Sequence, residues 1–136
     1  MRRWLMLKAF AWMTAKFAEG DCELVLKLMA DDVHFVFPGK SSFAADVTGK
    51  EGTERWLQRF VAMHPSYEIL DVMVSGPPWN TRVGVRMRDR IGDDYSHEGM
   101  HYMVMRWGKV SYDRVFIDPE AVSAFEERHP ELAGVS

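Results

Sequence analysis

The chain of 136 residues, 47% apolar and 27% charged, has the size of one domain and can bury a core without a disulfide or metal staple. Its net charge of −3 is spread as mixed signs with no basic block to follow a phosphate backbone, which argues against a nucleic-acid partner. The single cysteine, Cys22, excludes an internal disulfide and fits a reducing, cytoplasmic setting.

Met1-Arg2-Arg3-Trp4-Leu5-Met6-Leu7 faintly resembles a signal peptide, but Lys8 breaks the apolar run and no cleavage site follows. No stretch approaches the length of a membrane span, so neither secretion nor a membrane partner is expected. Met6, Phe10, Met13 and Phe17 recur at helical spacing and predict an amphipathic helix over 3–19. Asp21 is placed to cap a second helix, 22–30, which carries Cys22 and turns Val25, Leu28 and Met29 inward. Residues 33–37 read as a strand running into Pro38-Gly39. Thr48 and Glu51 have capping-box spacing ahead of a helix over 50–63, with Trp56, Phe60 and Met63 on one stripe.

Strands follow. Residues 67–75 and 81–91 flank Gly76-Pro77-Pro78-Trp79-Asn80, and 97–106 and 109–117 flank Trp107-Gly108. Asp118-Pro119 reads as the cap and first residue of a last helix, 119–128. There is no repeat, linker or low-complexity segment, and residues 1–136 form a single domain. In the strand 81–91, the apolar set Val83, Val85 and Met87 must face the core and carries Asp89 with it. A buried carboxylate is costly unless paired or used, and the other reading leaves Asp89 in water at a fraying strand end. A three-residue turn at Arg106-Trp107-Gly108, with Gly108 in a left-handed bulge, would set His101 directly opposite Asp113. A two-residue turn would instead set Asp113 against Tyr102.

The landmarks Gly20-Asp21, Ala30-Asp31-Asp32-Val33, Phe37-Pro38-Gly39, Gly49-Lys50-Glu51 and Arg106-Trp107-Gly108-Lys109-Val110, closing on Phe116-Ile117-Asp118, span nearly the whole chain. In this order they resemble the nuclear-transport-factor-two-like superfamily, in particular its SnoaL-like branch. The resemblance implies an α+β cone: three N-terminal helices packed on a curved, mostly antiparallel sheet that encloses a pocket, plus a short C-terminal helix. Relatives include ketosteroid isomerases, limonene-epoxide hydrolases, polyketide cyclases and scytalone dehydratase, beside many binding or dimerisation modules without chemistry. Against a ketosteroid isomerase, Phe37 stands where the catalytic aspartate would be. Met13, Met29 and Leu57 replace its tyrosines, and His101 falls near its protonated aspartate. Against a limonene-epoxide hydrolase, Met87, Val115, Phe35 and Phe37 replace mechanistic residues and only Asp89 survives. Neither mechanism can run here.

The same positions face the pocket in those relatives. The resemblance therefore places Phe35, Phe37, Val85, Met87 and Val115 on the cavity wall, together with Asp89, His101 and Asp113. His34 should point away. Met13, Met29, Met103 and Met105, with Trp56, complete a flexible apolar lining suited to a small, flat hydrophobic molecule. His101, held by Asp113, would then be a general acid or base and Asp89 a second acid, in a cyclase, dehydratase or isomerase. The alternative is a non-catalytic ligand-binding or dimerisation module in which His101 and Asp113 are a structural pair. His97 and His101 lie about 13 Å apart along their strand, too far to share a metal. No phosphate loop or nucleophile elbow occurs, so no metal or cofactor is expected. On the outer face, Met100, Tyr102, Val104, Tyr112 and Phe116 predict a homodimer through the sheet.

Overall fold

Six strands form one sheet in the spatial order β2 (Ala45–Thr48), β1 (Met29–Phe37), β6 (Lys109–Phe116), β5 (Tyr95–Arg106), β4 (Thr81–Ile91) and β3 (Ser66–Ser75), and helices close one side of it. The computed structural model describes residues 2–132. Along the chain come α1 (Arg2–Ala18), α2 (Glu23–Leu28), β1 (Met29–Phe37), β2 (Ala45–Thr48), α3 (Lys50–Val61) and β3 (Ser66–Ser75). Then follow β4 (Thr81–Ile91), β5 (Tyr95–Arg106), β6 (Lys109–Phe116), α4 (Pro119–Arg128) and a single 3-10 turn, Pro130–Leu132. Among the described residues only the β1–β6 pairing is parallel; the rest are antiparallel. This is the α+β architecture expected.

Local boundaries differ where tertiary pairing overrides local signals. Strand β1 begins at Met29, because that residue already pairs with Val110 of β6, and α2 stops at Leu28. The short strand β2 escaped the sequence reading; it exists by pairing with β1. Thr48 ends that strand, so it cannot cap α3, whose first turn follows Gly49 with no side-chain cap. Asp21 does accept a hydrogen bond from the Glu23 N–H at 2.9 Å. Asp118 caps α4 as expected, accepting from the Glu120 N–H at 3.0 Å.

The β5–β6 turn has two residues, not three. Trp107 (φ 52°) and Gly108 (φ 80°) both occupy the left-handed region, as a hairpin turn of the type I′ kind requires. Arg106 then faces Lys109 and Met105 faces Val110, but Val104 faces Tyr112. Ser111 is thus an extra residue, a bulge that turns the strand over by one position. His101 consequently faces Val115 and Asp113 faces Met103. A second bulge at Leu70 shifts the β3–β4 pairing, so that Val72 faces Val85 but Tyr67 faces Asp89. Bulges of this sort bend and twist a sheet, which is how six strands curve around the helices.

Two apolar clusters fill the interior. The larger joins Phe10, Leu57 and Val61 of the helices to Met29, Val72, Val83, Val85, Met87 and Met103 of the sheet, and it takes in buried Cys22. The smaller, Phe43, Tyr95, Val122 and Phe125, lies under α4. Trp56 packs against both, its Nε1–H donating to the Phe43 carbonyl at 2.8 Å. Gly99 is needed where it stands: a Cβ there would meet Ile117 Cγ2 at 2.4 Å.

Candidate functional site

Between the helices and the sheet remains a cavity of about 150 Å³. Met13 of α1, Trp56 of α3, and Phe35 and Phe37 of β1 form one part of its wall. Met29, Met87, Met103 and Val115 form another, and Met105 joins them. Trp56 is held in place by its rings' neighbours, Phe35 at 4.7 Å and Phe37 at 5.1 Å between centroids. Val85 departs from expectation. It shares the inward face of β4, yet it is wholly buried within the larger core cluster and leaves no surface to the cavity. Facing inward is necessary for lining a cavity but not sufficient.

The polar side chains on the wall are Thr14, Tyr67, Asp89, Tyr95, His101 and Asp113. His101 Nδ1 and Asp113 Oδ1 are 3.0 Å apart, and Asp113 is buried. The bond is a diagonal one across β5 and β6, since the direct partners are Val115 and Met103. Burial works against a charged imidazole, but the Asp113 charge, its hydrogen bond and the nearby Asp89 outweigh it and raise the His101 pKa above its ordinary value. With Nδ1 engaged by Asp113, Nε2 is the ring nitrogen not taken up by that bond.

Asp89 lines the cavity, partly exposed, and is paired on both sides, with Tyr67 of β3 and His97 of β5, so it is not at a frayed strand end. Its Oδ1 is buried and no described residue donates to it. Burial pushes the Asp89 pKa up to about 6, against a smaller opposing pull from His101. An unpartnered buried acceptor costs about 1–3 kcal/mol, relieved by protonation or by a donor from a bound molecule.

Tyr67 and Tyr95 were not foreseen. Burial first, and then the charge of Asp89, raises both phenol pKa values well above the ordinary range, so each remains an O–H donor. Tyr67 stands directly across from Asp89. The parity of β3 held a clue, since Tyr67 and Ile69 share a face, but the bulge at Leu70 decides that this face is the inner one. Without the extra residue Glu68 would oppose Asp89.

His34 points to the outer face, as expected, and is hydrogen-bonded to Asp46 at 2.6 Å. On that outer face Tyr102, Phe116 and Met73 are exposed.

Residues 10–112 match the SnoaL-like domain family. No curated protein matches the chain. Among solved structures, Bal32a, from a soil-derived mobile gene cassette, is similar with a TM-score of 0.70 and 18% identity, over 92% of this chain and 98% of that one. A Kribbella flavida protein reaches 0.70 at 8% identity, over 92% and 96%. An NTF2-like protein of unknown function from Mesorhizobium loti reaches 0.67 at 14% identity, over 87% and 94%. At such identities the likeness is one of fold.

Proposed function

The chain belongs to the SnoaL-like domain family, within the NTF2-like superfamily, and on that premise we propose that it binds a small hydrophobic molecule in the cavity and transfers a proton on it. The observation that carries this is one: a largely apolar cavity has His101, Asp113 and Asp89, with its unpartnered Oδ1, on its wall. A structural pair alone would leave the buried, unpartnered Oδ1 of Asp89 without a reason. A cavity of this volume admits roughly one ring, by comparison with cavities that take benzene. The ligand is therefore monocyclic, with an oxygen substituent to meet the polar wall.

Asp89, whose pKa of about 6 lies near a working pH, removes a proton from carbon next to a carbonyl. His101, kept protonated by Asp113, donates from Nε2 to the oxygen or to the far carbon, and Tyr67 supplies a neutral donor beside Asp89. The net outcome is an isomerisation, or loss of water when a hydroxyl sits at the receiving end. The non-catalytic reading is favoured by the loss of the relatives' own mechanistic residues, with Phe37 and Met87 standing at two of those places.

Wash-in of deuterium separates the two readings without knowledge of the natural substrate. In D2O the protein should speed exchange at the α-carbon of monocyclic ketones that raise its melting temperature, with Asp89→Asn losing exchange but keeping binding. Binding with no exchange leaves the non-catalytic module, and no binding by any such ring sinks both.

The chain also pairs with a second copy through the outer face of the sheet. Support comes from exposed Tyr102, Phe116 and Met73, and from the Tyr102 and Tyr112 rings, whose centroids are 6.1 Å apart on that face.

A further inference from the structure

Four of the five tryptophans, Trp4, Trp12, Trp79 and Trp107, are more than half exposed. Tryptophan is ordinarily well buried on average, so this distribution asks for a surrounding other than water. Trp4 and Trp12 stand on the outward side of α1 with Leu5. Trp79 and Trp107 occupy the tips of the β3–β4 and β5–β6 turns, with ring centroids 6.0 Å apart. The Trp107 N–H donates to the Pro78 carbonyl at 2.9 Å and ties the tips together. Leu5, Pro78 and Trp107 line one groove of about 360 Å³, so α1 and the tips are neighbours on one surface.

Charge is segregated in the same way. Residues 3–18, 76–82 and 105–110 hold six Lys or Arg and no Asp or Glu, whereas the rest of the chain holds eleven against twenty. Arg3 is engaged with Asp71 at 3.4 Å, Lys16 with Glu19 at 3.6 Å, and Lys109 with the Lys27 carbonyl at 2.6 Å. Lys8, Arg82 and Arg106 are exposed and form no ion pair among the described residues, Lys8 lying 4.2 Å from the centre of the Trp4 ring.

We propose that the outward side of α1 and the two hairpin tips form a docking face for an anionic lipid surface. Tryptophan rings settle at the headgroup level, and Lys and Arg draw acidic headgroups, while the acidic remainder of the chain is repelled and orients the molecule. A second copy laid on this face would set like charges against each other. No helix among the described residues is long and apolar enough to cross a membrane, so the contact is at the surface. Met6 and Met105 line both this groove and the cavity, so a hydrophobic ligand can pass from lipid to cavity by that route. That last step rests on the cavity-binding reading; the docking itself does not.

The test is partition of the whole chain onto vesicles of phosphatidylcholine, with and without phosphatidylglycerol, read by flotation and by tryptophan emission. Binding to the mixed vesicles, a blue shift, and reversal by salt are expected. Lys8→Glu with Arg106→Glu should weaken partition at least about tenfold. Trp107→Asn, which suits the left-handed turn position, should reduce the blue shift while leaving the far-ultraviolet spectrum unchanged. Absence of partition from both vesicles overturns the proposal, as does partition indifferent to the charge reversals. A blue shift that follows protein concentration without lipid would assign the face to a second copy, and one produced by a single-stranded oligonucleotide would assign it to nucleic acid; either overturns it. Vesicle binding without ligand binding would remove only the cavity reading.

Discussion

His101 is joined to Asp113 at 3.0 Å across a diagonal of β5 and β6, with Val115 and Met103 as their direct strand partners. The pair exists because Ser111 is an extra residue. With a two-residue turn and no bulge, Asp113 would fall opposite Tyr102 on the outer face. The Ser111 hydroxyl anchors the bulge by donating to the Val104 carbonyl at 3.1 Å.

The pair's electrostatics can be read directly. Asp113→Asn keeps the shape but removes the charge that holds the His101 pKa up, so the imidazole pKa should fall, as followed by proton NMR. Because the folded-state value is raised, the stability it contributes is present at low pH and lost as pH rises through that value. The wild type should therefore gain stability over Asp113→Asn on acidification from about pH 8 to about pH 6. An unchanged imidazole titration would show that Asp113 is not its partner in solution.

Asp89 behaves in the opposite way from most carboxylates. Its folded pKa of about 6 lies above the ordinary aspartate value of 3.8, so protonated Asp89 is favoured in the folded chain and ionisation destabilises it as pH rises between the two. Asp89→Asn should be more stable than wild type above about pH 7, by up to about 3 kcal/mol, and should gain nothing below about pH 4. Urea unfolding at both pH values checks this. Equal stability at the higher pH would mean that the carboxylate is solvated.

Ile117 seats over Gly99, and a methyl group there would lie 2.4 Å from Ile117 Cγ2. Gly99→Ala should cost about 1–3 kcal/mol by overpacking. The same change made on Ile117→Ala should cost clearly less, because the clashing atom is gone. Additive losses would place the strain elsewhere.

The outer sheet face should lose its partner when charge is added to it. Tyr102→Asp together with Phe116→Asp, both at exposed positions, should give a monomer in sedimentation with an unchanged melting curve for the isolated fold. A wild-type mass that stays monomeric at all concentrations would end that proposal.

Much of the fold was legible because its signals are local. Met6, Phe10, Met13 and Phe17 repeat at the helical period, Asp118-Pro119 starts α4 where it should, and the strands from β3 to β6 alternate. Strand β2 was not legible, since the apolar–polar alternation of Ala45–Thr48 runs for only four residues, too short to stand out, and the segment is a strand by pairing with β1. The capping box at Thr48 failed for the same reason: a residue already paired in a strand cannot also cap a helix.

The sequence by itself determined every helix and strand but β2, that helices and sheet would enclose an apolar hollow, and that His101, Asp113 and Asp89 were its polar candidates. Periodicity and turn chemistry act within a few residues, so they survive without the fold. Tertiary structure alone decided the faces. An error of two in strand register leaves every side chain on its own side, which is why the expected histidine–aspartate partnership held despite a wrong turn. A shift of one reverses the side, and the bulges at Ser111 and Leu70 are shifts of one. They turn Asp113 and Tyr67 inward, and nothing short of the paired neighbouring strand specifies where an extra residue is accommodated.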